Sequence, residues 1–198
     1  MNNWPEKVEL KGKLATLVPL ESSHEKDLLL AASDGKLWEL WYTSVPSALS
    51  IKAYIDQAIK ERSHQQSIPF VIIDNASGKV IGSTRYCSID YKNKRLEIGY
   101  TWYSKSFQRT GVNTECKLLL LAYAFETLGA IAVEFKTNWH NIPSRNAIER
   151  LGAKQDGVLR NHRIDEEGII RDTVVYSIIN TEWKGVKKSM EFNMQRYP

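Results

Sequence analysis

The sequence predicts one α+β domain over residues 1–198, with a mixed, mostly antiparallel central sheet flanked by helices. Three observations lead to it. Strand-like apolar segments succeed one another between residues 70 and 102, with short polar turns between them. The apolar period then lengthens to that of a helix at Leu118, Leu121, Ala122, Phe125 and Leu128. Beyond it, strand and helix signals alternate up to a closing hairpin.

Taken in order, residues 8–20 read as a strand with Val8, Leu10, Leu14, Leu17 and Val18 as apolar members, ended by Pro19. Ser22 and Glu25 have the spacing of a capping box ahead of Leu28-Leu29-Leu30-Ala31-Ala32, and Asp34-Gly35 breaks that helix. Leu37, Trp38, Leu40 and Trp41 form a second short apolar segment. Ser50 opens a helix whose apolar face is Ile51, Tyr54, Ile55, Ala58 and Ile59. Residues 70–73 and 80–86 are strands joined through Asn75-Ala76-Ser77-Gly78. After the polar turn 91–95, residues 96–102 complete a meander. Gly129 stops the following helix. Ile131, Val133 and Phe135 mark the next strand, and Ser144, Ala147, Ile148 and Leu151 a short helix ended by Gly152. Strands near 157–163 and 173–179 flank the turn Asp165-Glu166-Glu167-Gly168, and a short helix begins near Thr181.

At 198 residues, 42% hydrophobic and 25% charged, the chain is long enough for a sizeable core and too apolar for disorder. Its longest apolar run, 118–125, is far short of the roughly 20 residues a membrane helix needs. Residues 1–7 carry no apolar leader, so the chain reads as cytoplasmic, with no membrane partner. The net charge of +4 comes without a basic stripe, which argues against a nucleic-acid partner. Cys87 and Cys116 read as reduced, packed thiols. The histidines at 24, 64, 140 and 162 lack ligand spacing, and no metal is expected. Exposed strand edges leave room for a homodimer.

The segment Gln108-Arg109-Thr110-Gly111-Val112-Asn113-Thr114 joins a strand end to a helix start. Asn113 and Thr114 are good N-cap residues, and a helix N-terminus offers free N–H groups and a positive dipole end. Gly111 lets backbone approach a ligand closely, and Gln108 and Arg109 add donors, so the junction suits a pyrophosphate. By spacing alone an ordinary capped helix fits as well. The pattern is neither G-x-G-x-x-G nor a Walker A loop.

Gln108-x-x-Gly111-x-Asn113 resembles the acetyl-CoA motif Q/R-x-x-G-x-G/A of the GNAT N-acetyltransferases. Asn141-x-x-Ser144, running on through Ala147-Ile148-Glu149-Arg150-Leu151-Gly152-Ala153, resembles the family's second motif. Residues 96–179 are similar to the branch that includes the ribosomal-protein alanine N-acetyltransferases. The resemblance implies an enzyme moving acetyl from the co-substrate acetyl-CoA to an amine, a protein N-terminal α-amine or a small amine, by direct attack on the thioester. It places the CoA pyrophosphate on residues 108–114 and the pantetheine arm along the backbone of Tyr100, Thr101 and Trp102. Asn141 and Ser144 are expected near the thioester, with Ser144 a hydrogen-bond donor to the leaving sulfur; its other reading is a helix cap.

Glu97 is the candidate general base. Alternation sets Glu97, Gly99 and Thr101 on one strand face and Leu96, Ile98 and Tyr100 on the other. The alternative for Glu97 is a surface pair with Arg85 or Arg95. An α-amine, with a pKa of about 7.7–8.0 against about 10.4 for lysine, asks less of such a base. Trp38, Trp41 and Tyr42 are candidates for the acceptor wall, with a core role as the alternative. Two positions depart from the family pattern: Asn113 replaces Gly or Ala, and Ile148 stands where many members carry an acid tyrosine. Both favour the second reading, a CoA-binding regulatory module without strong catalysis.

Overall fold

The 8–20 segment is two strands and not one. β1 (Leu10–Lys11) turns back antiparallel onto β2 (Ala15–Pro19). A distant carboxylate holds the turn: Glu115, 5% exposed, accepts the backbone N–H groups of Lys13 (2.8 Å), Leu14 (2.7 Å) and Ala15 (2.9 Å). A Cβ at Gly12 would stand 2.5 Å from Glu115 Oε2, so the turn needs glycine there. The computed structural model describes residues 7–165 and 167–196. Residues 1–6, most of the stretch read above as lacking a leader, lie outside the described residues, as do Glu166 of the predicted turn, Tyr197 and Pro198.

Helices α1 (Glu25–Ser33) and α2 (Ile51–Ser63) follow. The first is entered one residue earlier than the Ser22–Glu25 spacing suggests. The Glu21 N–H donates to His24 Nδ1 (3.1 Å), and Ser22–His24 form a single tight turn between them. Then come β3 (Ile68–Asp74), β4 (Val80–Asp90) and β5 (Arg95–Tyr103), the expected meander. Helix α3 (Val112–Ala122) widens into a π turn over Tyr123–Thr127 and ends at Gly129, whose φ is +66°. The chain closes with β6 (Ala132–Asn138), α4 (Ile142–Arg150), β7 (Lys154–Ile164), β8 (Ile170–Ile179) and α5 (Asn180–Arg196).

The strands form one sheet in the order β1-β2-β3-β4-β5-β6-β8-β7, in which only β5 and β6 run parallel. One face is covered by α1 and α2 through Leu28, Ile55, Val71 and Trp102. The other is covered by α3, α4 and α5 through Cys116, Leu120, Ile148, Trp183 and Met190. Both cysteines are free and buried. Helix α5 spans 17 residues and is not short. Its anchor is Trp183, stacked on Phe125 (5.2 Å) with its N–H donated to Glu126 (2.8 Å).

We expect Glu115→Ala to destabilise the fold by about 3 kcal/mol, because three amides lose a charged acceptor at once. Equilibrium denaturation would measure it, and a loss under about 1 kcal/mol would show that water serves those amides equally well.

Candidate active site

β5 and β6 pair at only three positions, Arg95–Ala132, Leu96–Val133 and Glu97–Glu134, and then diverge. The facing edges beyond Glu97 carry backbone groups that neither strand satisfies for the other. A bulge lies at the same place. Gly99 opposes Arg85 and Trp102 opposes Ser83, so Tyr100 and Thr101 together stand against Thr84. Tyr100 takes φ +51° to do so. The bulge overturns the expected alternation. Tyr100 joins the Glu97 face, its ring 3.9 Å from the Arg85 guanidinium. Thr101 turns to the α3 face, where its hydroxyl meets that of Thr84 at 2.7 Å.

One cavity of about 1340 Å³ runs from residues 108–114 through this opening to Tyr42 and Arg163. At its first end Gly111 occupies the N-cap position of α3, so Asn113 and Thr114 lie inside the first turn and do not cap it. The first helical amide bond is Glu115 N–H to Gly111 O (3.0 Å), which leaves the amides of Asn113 and Thr114 without helical partners, while the Val112 N–H donates to Thr110 Oγ1 (3.4 Å). Val112 offers only its backbone, since its side chain is in the core. The Gln108 side chain donates to Tyr103 O (3.0 Å) and pins the loop to β5. Thr110 Oγ1 donates to Phe107 O (2.8 Å) and tightens the same turn. Arg109, at φ +61°, is exposed.

The α4 wall brings Asn141, Ser144 and Ile148 to the cavity. Asn141 is the cap: its Oδ1 accepts the Ser144 N–H (3.1 Å), and Ser144 sits one turn in. Glu97 accepts from Lys136 Nζ (3.0 Å) and Ser88 Oγ (3.2 Å). Neither expected arginine pairs with it, because Arg85 goes to Glu61 (3.1 Å) and Arg95 to Glu134. Burial pulls the Lys136 ammonium down, but Glu97 and Glu134 outweigh it and hold the group above the usual lysine range. The aromatic trio divides. Tyr42 lines the cavity, Trp38 packs against the α1–α2 core, and Trp41 is 55% exposed, 5.7 Å from Tyr42 and 5.4 Å from His140.

Sequence reasoning missed several groups. Lys117 of α3 is 5% exposed and lines the cavity; its Nζ donates to Thr101 Oγ1 (2.6 Å). Burial pulls its pKa down to about 7, and among the described residues no carboxylate pairs with it. Trp102 Nε1, Asn138 Nδ2 and Arg171 Nε belong to cavity residues and are buried donors with no protein acceptor. Met190 and Asn193 of α5 also reach the cavity. A lysine set inside the apolar run of α3 was the one readable signal. Among the described residues no cluster of His, Cys, Asp and Glu could hold a metal, and no helix is long and apolar enough to cross a membrane.

The domain described as Acetyltransferase (GNAT) matches residues 15–154. The Bacillus subtilis (strain 168) protein named "Putative ribosomal N-acetyltransferase YdaF" is 34% identical over 110 residues, 56% of this chain. That match spans 59% of the relative, less than two thirds of its length. A solved GCN5-related N-acetyltransferase from Brucella melitensis superposes with a TM-score of 0.87 at 30% identity, over 98% of this chain and 90% of that one. The Microcin C7 self immunity acetyltransferase MccE, solved with acetyl-CoA and AMP, shares the fold at TM-score 0.73 and 21% identity, over 85% of this chain and 93% of its own. The divergent strands, the uncapped start of α3 and these matches agree: the chain belongs to the GNAT acetyltransferase family.

Proposed function

We propose that the protein is an acetyl-CoA-dependent N-acetyltransferase whose acceptor is an α-amine, on a protein N-terminus or a small molecule. One observation carries the reading. A single cavity joins the helix-unpaired amides of Asn113 and Thr114 at the start of α3 to the unpaired edges of β5 and β6. The first suits a pyrophosphate, and the second suits the amides of a pantetheine arm. The names of the relatives point the same way.

In this reading the acceptor nitrogen attacks the thioester carbonyl near the Tyr100 bulge. Glu97 takes the proton that the nitrogen loses, directly or through one water. The hydrogen bonds it accepts from Lys136 and Ser88 fix the carboxylate in place. A carboxylate is base enough for an α-amine, which is partly neutral near pH 8 on the ordinary scale of about 7.7–8.0. The far mouth of the cavity bears Arg163 and Arg171. Two guanidinium groups there disfavour a polyamine and favour an acceptor with negative charge beside its amine. The alternative, a CoA-binding module without turnover, draws support from Ile148 in the usual tyrosine position.

Thiol release from acetyl-CoA, followed over peptides with N-terminal alanine or serine and over small amines, tests the proposal. Turnover is expected on at least one α-amine. A thermal shift with acetyl-CoA but no turnover on any acceptor would leave the binding module standing. Glu97→Gln should lower kcat at least about tenfold with the acetyl-CoA KM unchanged. Arg109→Ala should instead raise that KM by about tenfold and leave kcat alone, the mark of a phosphate contact.

A further inference from the structure

We propose that Lys117 is the acid of this active site, its ammonium handing a proton to the CoA sulfur as the thioester breaks. The proposal rests on the transferase reading above and names the proton donor that Ile148 does not provide. Lys117 enters the cavity from α3, while Ile148 enters it from α4. Its Cα lies about 7.5 Å along the helix from Val112, where the pyrophosphate site begins, and the long stem carries the ammonium further in. It ends 2.6 Å from Thr101 Oγ1, beside the bulge that interrupts β5. A thioester tethered at the start of α3 and laid along the open edge of β5 brings its sulfur to that place.

The surroundings suit a donor of protons and not a structural cation. Thr84 and Thr101, 2.7 Å apart, fix the ammonium by one hydrogen bond and leave its other protons for the cavity. The titratable groups that face it are the thiols of Cys116, on its own helix, and Cys87, on β4. Burial pushes both up to about 12, so both are neutral. β5 contributes the Thr101 hydroxyl, and α4 contributes the apolar Ile148. An ordinary lysine at about 10.4 would keep its proton in the presence of a thiolate whose acid is near 8.5. Held down to about 7 by burial, Lys117 gives it up.

The step balances. The acceptor nitrogen bonds the carbonyl carbon, the C–S bond breaks with its electron pair going to sulfur, and the Lys117 proton completes the CoA thiol. The proton lost by the acceptor leaves through Glu97 to water. Lys117 takes one back from solvent when CoA departs.

Three measurements on wild type, Lys117→Met and Lys117→Gln test this. Turnover of the wild type should fall as pH rises above about 7, where the acid loses its proton. Both variants should lose that limb and about a hundredfold in kcat, with the acetyl-CoA KM kept. In a second, acceptor-free measurement, bromoacetyl-CoA places an electrophilic carbon beside the sulfur. Above about pH 7, where the amine is neutral, the wild type should be alkylated at Lys117 with loss of bromide, as read by mass spectrometry, and neither variant should carry an adduct at that position, while desulfo-CoA binds all three alike. No adduct at Lys117, or kcat and pH profile retained by Lys117→Met, would overturn the proposal. Should wild type acetylate no amine, the transferase reading falls, and the Lys117 adduct alone decides its place beside sulfur. The third measurement is thermal melting without ligand. The unfolded chain holds the lysine proton up to about 10.4, and the folded chain releases it near 7. Wild type should therefore gain stability relative to Lys117→Met as pH rises through that window; a constant difference would remove the poise the donor needs.

Discussion

The fold turns on the short parallel contact between β5 and β6. Each strand is engaged on its other side, β5 with β4 in a ladder broken by the bulge and β6 with β8 over seven consecutive positions. The sheet is thus two antiparallel halves joined at three parallel pairs. Extending those pairs would require one half to rotate against the other, and the α3–α5 layer packs across both halves and holds them. The gap between the strands is the consequence, and its unpaired amides and carbonyls ask for a partner. The crossover that makes β6 parallel also sets α3 with its N-terminus facing this gap, so an anion site and a slot for an extended chain arise from a single topological choice.

The Tyr100 bulge shows how local strain is held. A tyrosine at φ +51° is unfavourable by about 1–2 kcal/mol. Arg85 offsets it: the guanidinium lies between Tyr100 (3.9 Å) and Tyr54 (4.9 Å) and is tied to Glu61 (3.1 Å). Because the bulge inserts one residue, it reverses the facing of everything after it. Thr101 reaches α3 only for that reason, and without Thr101 the Lys117 ammonium would lack its one fixed partner.

Much of this was legible in the sequence. The meander followed from alternation and turn residues, and Gly129 and Gly152, both at positive φ, stop their helices where expected. The Gln108–Asn113 motif located the start of α3 to within two residues. What was missed depends on distant contacts. No feature of Leu96-Glu97-Ile98-Gly99-Tyr100-Thr101-Trp102 announces a bulge, and the group that Tyr100 packs on there, Arg85, lies on another strand. The hairpin within residues 8–20 is closed by Glu115, a hundred positions away. Helix α5 contains Gly185 and few apolar residues, so its length comes from packing against Phe125 and Glu126 and not from its own pattern. Trp41 and Trp38 have the same residue type and near-identical sequence context, yet only burial against α1 and α2 separates core from surface.

The charge along the cavity supports the proposal that Glu97 takes the acceptor's proton. From one end to the other the described lining carries Lys105, Arg109, Lys117, Lys136, Arg150, Arg163 and Arg171, and Glu97 is its one carboxylate. A cationic lining attracts CoA phosphates and repels a protonated amine. Under the proposed function the acceptor arrives neutral or brings its own negative charge, and among the described lining residues it meets one carboxylate. Lys136 is paired with that group, while Lys117, which has no carboxylate partner among the described residues, is pulled toward neutrality by burial. Lys136 and Lys117 are thus driven in opposite directions on one cavity, and under the proposed mechanism that separation sets the place where a proton is taken apart from the place where one is given.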